Sequence, residues 1–221
     1  MLVAPELLGR TGRGAQLLDR LREFPCLAVT ERVLESVSDT VTSQGVVAVL
    51  PAPQPEASRD LGPLLLVLDG VRDPGNLGTI LRAAEASGVV RTVALVGCAD
   101  AYSPKVVRAA MGAHFHLALL SDSSWGEVER LVAGRPTWLA EMRGGVPYDE
   151  VDWRRDSALI VGGEAAGASF EAERIATGKV SIPMAGRAES LNAAMAASIL
   201  VFEAARQRRG LRRETTDEHN R

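Results

Sequence analysis

From residue 64 onward, short apolar runs alternate with longer stretches in which apolar residues recur at helical spacing. The apolar runs fall at 64–68, 92–96, 115–120, 137–140, 158–161 and 179–182, each of a length suited to a strand. Residues 64–68 and 158–161 are apolar without a break, the pattern of a strand buried on both faces. Helical spacing marks 77–87, 104–111, 125–132 and 191–206. In the last of these, Leu191, Met195, Ile199 and Phe202 line one face, and Ala193, Ala194, Ala196, Ala197 and Ser198 lie between them. Buried strands alternating with helices predict an α/β fold, a mostly parallel sheet with helices on both faces.

The first fifty residues follow the same alternation with fewer elements: a helix at 15–23, a strand at 26–29, a helix at 31–36 and a strand at 46–50. These are too few to close a sheet, so the two strands are expected to need an outside partner or to stay exposed. Pro51, Pro53, Pro55 and Pro63, with Ala57, Ser58 and Gly62 among them, mark a linker. The expected organisation is a small α/β fragment over 1–50, a linker over 51–63, a main domain over 64–211 and a polar, frayed tail over 212–221. No internal repeat is present.

Composition narrows the class. Hydrophobic residues make up 46% and charged residues 24% of the 221, which is ordinary for a globular protein in water. No apolar run approaches the length that crosses a membrane, and Met1 to Arg10 lack the order of a signal peptide. Cys26 and Cys98 stand apart in apolar surroundings and imply neither a disulfide framework nor a metal cluster. A cytoplasmic protein is expected. A net charge of −3 gives no overall attraction to nucleic acid. Yet Arg206, Arg208, Arg209, Arg212 and Arg213 cluster late in the chain, and Arg10, Arg13, Arg20 and Arg22 cluster early. Such clusters are solvated helix faces or phosphate contacts.

Three stretches can carry chemistry. In the first, a buried strand ends at Asp69, Pro74-Gly75 makes a turn, and Asn76 is typed to cap the helix that carries Arg82. Its glycines, at 70, 75 and 78, fit neither a dinucleotide fingerprint nor a P-loop. In the second, the apolar strand 158–161 runs into Gly162-Gly163-Glu164, where a ligand or another backbone can approach closely. In the third, a strand is stopped by Pro183, and Ser190 and Asn192 sit where a loop becomes helix, placed to cap it or to bind a ligand.

Together, Asp73-Pro74-Gly75-Asn76-Leu77-Gly78 with Arg82, then Gly162-Gly163-Glu164 with Gly167, then Ile182-Pro183-Met184, Gly186 and Ser190-Leu191-Asn192 resemble the three motifs of the SpoU/TrmH methyltransferases of the SPOUT superfamily. All three occur in order over residues 64 to about 209. Tyr102 to Ala113 is similar to a further family segment, with Ala110 where many members carry serine. Residues 17–50 resemble the second half of the family's N-terminal substrate-binding domain, which implies either a truncated domain here or a true start that lies upstream. The resemblance implies a C-terminal trefoil knot, with Gly162, Gly163, Gly167 and Gly186 relieving crowding where backbones cross. It implies methylation of RNA ribose 2′-hydroxyls with S-adenosylmethionine, ribosomal RNA before transfer RNA, by a metal-free homodimer. The Ala-rich face of the last helix would suit packing across a twofold.

The implied cofactor contacts are Ala140, Gly162, Glu164, Ile182, Met184 and Leu191, largely through main-chain groups. Asn76, Arg82, Glu164, Ser190 and Asn192 are the implied catalytic residues, and Arg82, Arg108, Arg206, Arg208 and Arg209 the implied RNA contacts. Arg82 is either a base with a severely depressed pKa or a cation that holds phosphate and the developing alkoxide. The second is preferred, because arginine keeps its proton at neutral pH. Glu164 is its natural partner, or the proton acceptor. An RNA-binding module of this fold that has lost methyl transfer is the alternative. His114 and His116, expected on one strand face, lack a third metal ligand. Trp125, Trp138 and Trp153 are expected in packing roles, and Ser123 and Ser124 have no nucleophile spacing.

Overall fold

The computed structural model describes residues 1–38, 40, 42–53, 61–163 and 167–218, of which 210–218 are described as backbone only. The chain divides into two compact units, Met1–Ala52 and Pro53–Arg221.

The first unit is built on a strand that the pattern of apolar residues did not reveal. β1 (Leu2–Val3) lies between β2 (Leu27–Ala28), its parallel neighbour, and β3 (Val46–Val47), which runs antiparallel. The expectation that these strands need an outside partner is therefore corrected, since two residues at the start of the chain complete a three-stranded sheet, although β2 does stay exposed. α1 (Pro5–Leu8), α2 (Gly12–Leu21) and α3 (Glu31–Ser36) accompany it. The Thr11 and Thr30 hydroxyls cap α2 and α3 by accepting from the amides of Gly14 and Val33. Cys26, expected in apolar surroundings, is exposed.

The second unit carries a seven-stranded sheet, parallel throughout. Its strands are β4 (Leu64–Asp69), β5 (Arg91–Leu95), β6 (Ala118–Ser123), β7 (Thr137–Glu141), β8 (Val146–Pro147), β9 (Ser157–Gly162) and β10 (Gly178–Ser181), in the order β6-β5-β4-β9-β7-β10-β8. Every residue of β4 is buried, which accounts for its unbroken apolar run. Leu64, Leu66 and Leu68 face a core shared with α4 (Pro74–Ser87), α5 (Pro104–Ala110) and α8 (Ala193–Glu218). Leu65 and Val67 face a second core, under α6 (Trp125–Val132) and α7 (Phe170–Ile175). Strand order reverses between β4 and β9, and in open α/β sheets such a switch point opens the ligand crevice beyond the carboxyl ends of the strands.

Backbones approach closely at that crevice. The Gly163 amide donates to Asp69 O at 2.8 Å. A Cβ on Gly163 would lie 2.1 Å from Gly70 O, and one on Gly162 would lie 2.8 Å from Gly167 O. Gly167 itself holds φ +67°. A Cβ on Gly186, expected at a crossing too, would meet nothing within 4 Å among the described residues.

Three elements differ from expectation. Residues 113–115 form a short 3-10 turn rather than the start of a strand, because Met111 and Gly112 both take positive φ and reverse the chain. The His114 ring is buried with Nε2 2.7 Å from Ala101 O, and so does not share a strand face with His116. On α8 the two faces are exchanged: Ala193, Ala194, Ala197 and Ala204 are buried in the protein's own core, against α4 among others, while Met195 and Phe202 are exposed. The small face is thus spent inside the unit, which removes it as a surface for packing across a twofold. The helix also continues to Glu218, so the expected frayed tail from 212 is helical as far as it is described.

Gly78 sets the distance between α4 and α5. A Cβ there would come within 2.5 Å of Ala109 Cβ and 2.7 Å of Val106 O. Helix propensity alone makes Gly78→Ala stabilising by about 1 kcal/mol, whereas overpacking costs about 1–3 kcal/mol. The nearby carbonyl belongs to a helix backbone and cannot give way alone, so the clash is expected to win. Thermal unfolding of Gly78→Ala should show a midpoint lowered by roughly 3 °C or more; a raised midpoint would mean that the helices have room to part.

Candidate active site

A cleft of about 650 Å³ opens beyond the carboxyl ends of β7, β9 and β10. Its walls are three loops. Ala140, Glu141 and Met142 leave β7; Gly162, Gly163, Gly167 and Ala168 follow β9; Ile182, Met184, Ser190, Leu191 and Asn192 link β10 to α8, whose Ala193, Ala196 and Leu200 close the side. Five of the six expected cofactor contacts, Ala140, Gly162, Ile182, Met184 and Leu191, line this one cleft. The sixth, Glu164, lies outside the described residues. Small side chains and glycines leave main-chain groups accessible, and the apolar side chains supply a surface for a flat ring.

The cleft loop is clasped from β4. Asp69, nearly buried at the end of that strand, accepts from the Ser169 amide through Oδ2 at 2.8 Å, and its carbonyl accepts from Gly163. Ser169 in turn caps α7, its hydroxyl accepting from the Ala172 amide. One residue thereby holds both ends of the loop that contains the second motif. Sequence reasoning saw Asp69 only as a strand end.

Glu141, also missed, is the single charged residue among the described residues that line the cleft. Lys179 on β10 meets it at 3.2 Å and Glu173 at 3.4 Å; the hydrogen bond to Glu141, then its charge, raises the Lys179 ammonium above its ordinary pKa. A carboxylate at the end of a parallel strand was the available signal.

The third loop is tied to the first motif. Asp73, not Asn76, caps α4, its Oδ1 accepting from the Asn76 amide at 2.7 Å, with Pro74 in the first turn. The Asn76 side chain is thus left for other work. Its Oδ1 accepts from the Asn192 amide group at 3.3 Å. Asn192 also caps α8, Oδ1 accepting from the Met195 amide at 2.7 Å. The structure therefore brings Asn76, Ser190 and Asn192 to the cleft mouth. Arg82 lies further along α4; it is exposed, is absent from the cleft lining, and its side chain has no partner among the described residues.

The expected RNA contacts separate. Arg108 and Arg209 are exposed. Arg206 makes a bidentate pair with Glu203, both bonds 2.7 Å, so its charge is met locally. Arg208 is the correction. Its guanidinium turns inward to donate to Pro63 O at 2.9 Å and Arg155 O at 3.3 Å, and burial pushes its pKa down. This arginine anchors α8 to the entry of β4 rather than meeting a ligand. The tryptophans pack as expected: Trp153 is fully buried, 6.3 Å from Trp138 between ring centroids. Among the described residues no group of side chains could hold a metal ion, and no helix is long and apolar enough to cross a membrane.

A family model for the SpoU rRNA Methylase family matches residues 63–202. The chain is 36% identical over 178 residues to the 23S rRNA (guanosine(2553)-2′-O)-methyltransferase RlmP of Bacillus subtilis, covering 80% of this chain and 71% of that one. It is 36% identical over 245 residues to the mitochondrial rRNA methyltransferase 3A of Danio rerio, covering 86% of this chain but 56% of that one, so it spans little more than half of that relative. Among solved structures, the SpoU methyltransferase AviRb from Streptomyces viridochromogenes in complex with the cofactor AdoMet is similar with a TM-score of 0.78 at 32% identity, over 95% of this chain and 82% of that one. A match that takes in the whole sheet, its cleft and all three motifs settles the assignment: the chain belongs to the SpoU rRNA methylase family.

Proposed function

We propose that this chain is an S-adenosylmethionine-dependent RNA 2′-O-methyltransferase, with ribosomal RNA as its first substrate and transfer RNA as the second to test. The observation that carries this is the cleft itself: about 650 Å³, walled by glycines and apolar residues, with Asn76 and Asn192 joined at its mouth. That volume and lining suit a nucleoside-sized cofactor. Ala140, Gly162, Ile182, Met184 and Leu191 would hold it, and the resemblance adds Glu164. When bound, the cofactor supplies an electrophilic methyl group. The ribosomal substrate rests on the relatives, whose names describe rRNA methyltransferases. Two unpaired cysteines fit a reducing compartment, and the cytoplasm is the one proposed.

The chain's own residues divide the remaining work. Asn76 and Asn192 orient the ribose, and Ser190, exposed on the same loop, adds a hydroxyl beside it. Arg82 keeps its proton and acts as a cation, gripping an RNA phosphate and stabilising the alkoxide as it forms. Glu164 is proposed as the partner of the Arg82 cation or as the acceptor of the hydroxyl proton. A module that binds RNA without methyl transfer would have no need of the cleft, so titration with S-adenosylmethionine separates the two readings.

A homodimer is proposed as the working form, through a surface other than the alanine face. Met195 and Phe202 on α8 are 53% and 44% exposed, with Ile199 half-buried between them.

Two outcomes are expected. Arg82→Ala should lower methyl transfer to RNA by about 10²–10³-fold, the range seen when a transition-state donor is removed, while calorimetry shows S-adenosylmethionine affinity within about twofold of the parent. Parallel loss of cofactor binding would overturn this division of labour. Phe202→Glu combined with Met195→Glu should shift sedimentation from dimer to monomer without lowering the thermal midpoint, because both side chains are exposed in the single chain; an unchanged sedimentation coefficient would place the dimer contact elsewhere.

A further inference from the structure

Residues 101–121 contain no aspartate or glutamate, in a chain with 28 acidic residues. Lys105, Arg108 and His116 are exposed there, and their side chains have no hydrogen bond or ion pair among the described residues. Apolar side chains project between these bases: Val107 is 39%, Met111 71% and Phe115 61% exposed. This stretch, basic, free of acids along the chain and interleaved with an exposed aromatic, belongs to a protein whose net charge is −3.

The backbone presents this surface on a rigid base. Met111 holds φ +51° and Gly112 φ +93°, so the chain turns sharply from α5 into the 3-10 turn Ala113–Phe115. A large side chain in the left-handed region is strained and persists only where its surroundings hold it there. Here Ala110, Ala113 and His114 are buried beneath the elbow, and the His114 ring lies 5.4 Å from that of Tyr102. Gly78 presses α4 onto α5 from below, and Arg82, one helical turn further along α4, is exposed on the neighbouring helix.

We propose that this elbow is a contact surface for unpaired RNA: Phe115 stacks an exposed base, Met111 flanks it, and Lys105 and Arg108 take the adjoining phosphates. The inference rests on the reading of the chain as an RNA methyltransferase and extends it to a named platform. Sequence-tolerant binding of single strands combines aromatic faces with a cationic track, and both occur here within twelve residues, 105–116. Charge selects RNA over a second copy of the chain. A twofold contact would set this patch against itself, bringing Lys105 and Arg108 toward their own counterparts with no acid in the stretch 101–121 to meet them.

The test uses the full chain and a short single-stranded RNA carrying 2-aminopurine, whose fluorescence falls on stacking, titrated at several salt concentrations. Phe115→Ala should weaken binding about tenfold and abolish the quench, and Phe115→Trp should restore both. Lys105→Ala and Arg108→Ala should each lower the slope of log affinity against log salt by about 0.7, the value for one phosphate contact on a single strand. S-adenosylmethionine affinity and sedimentation should match the parent in all four variants. Unchanged RNA affinity in Phe115→Ala and Lys105→Ala would overturn the proposal. So would dissociation of an oligomer by Phe115→Ala, which would assign the patch to a second copy. A parent protein that binds neither S-adenosylmethionine nor RNA would instead remove the functional reading beneath it.

Discussion

The second unit depends on one crowded place, where the loop leaving β9 passes against the loop leaving β4. Gly163 donates its amide to Asp69 O and has no space for a Cβ beneath Gly70 O. Asp69 uses its second acceptor on Ser169, beyond the loop. A buried carboxylate is costly unless hydrogen bonds replace its water, and the Ser169 amide helps to replace it. The floor of the cleft, the start of α7 and the end of β4 are therefore one construction. The absence of side chains at 162 and 163 follows from it, since any larger residue would part the two strands' ends.

Much of this was legible because burial on both faces leaves a simple trace. The apolar runs of β4 and β9 mark the middle of a parallel sheet, and six of its seven strands follow from such runs, although β6 begins later than the run at 115–120 suggests. What was missed is short or depends on tertiary contact. β1 and β8 are two residues each, below any periodicity. α7 is six residues and owes its start to the Ser169 cap. The reversal at Met111-Gly112 had no sign beyond one glycine, since methionine is not a residue that favours positive φ.

The site was legible as residue types but not as geometry. Asn76 read as a cap, because asparagine before a helical run fits that position; Asp73 holds it, three residues earlier. The arginines after residue 205 looked alike in the sequence, yet one is paired to Glu203, one is turned inward to carbonyls and one is exposed. Charge runs do not state which members have partners: Arg206 finds its partner three residues away, whereas those of Arg208 come from 53 and 145 residues away. The exchange of faces on α8 has a similar origin. Large apolar residues at helical spacing predict the buried side, but where α4 packs closely that side is mostly alanine, with Leu200 and Val201 beside it.

Arg208 ties the second unit's last helix to the carbonyl that precedes its first strand, across 145 residues of chain. During synthesis β4 leaves the ribosome early and waits for this partner, and the loop 182–192 that completes the cleft also emerges late. Contacts so distant in sequence slow folding and favour its completion in one late step. A nascent chain would therefore hold no half-built cleft: the capacity to engage a small ligand would appear all at once, when α8 arrives. An incompletely made copy would lack both the closing helix and the pocket.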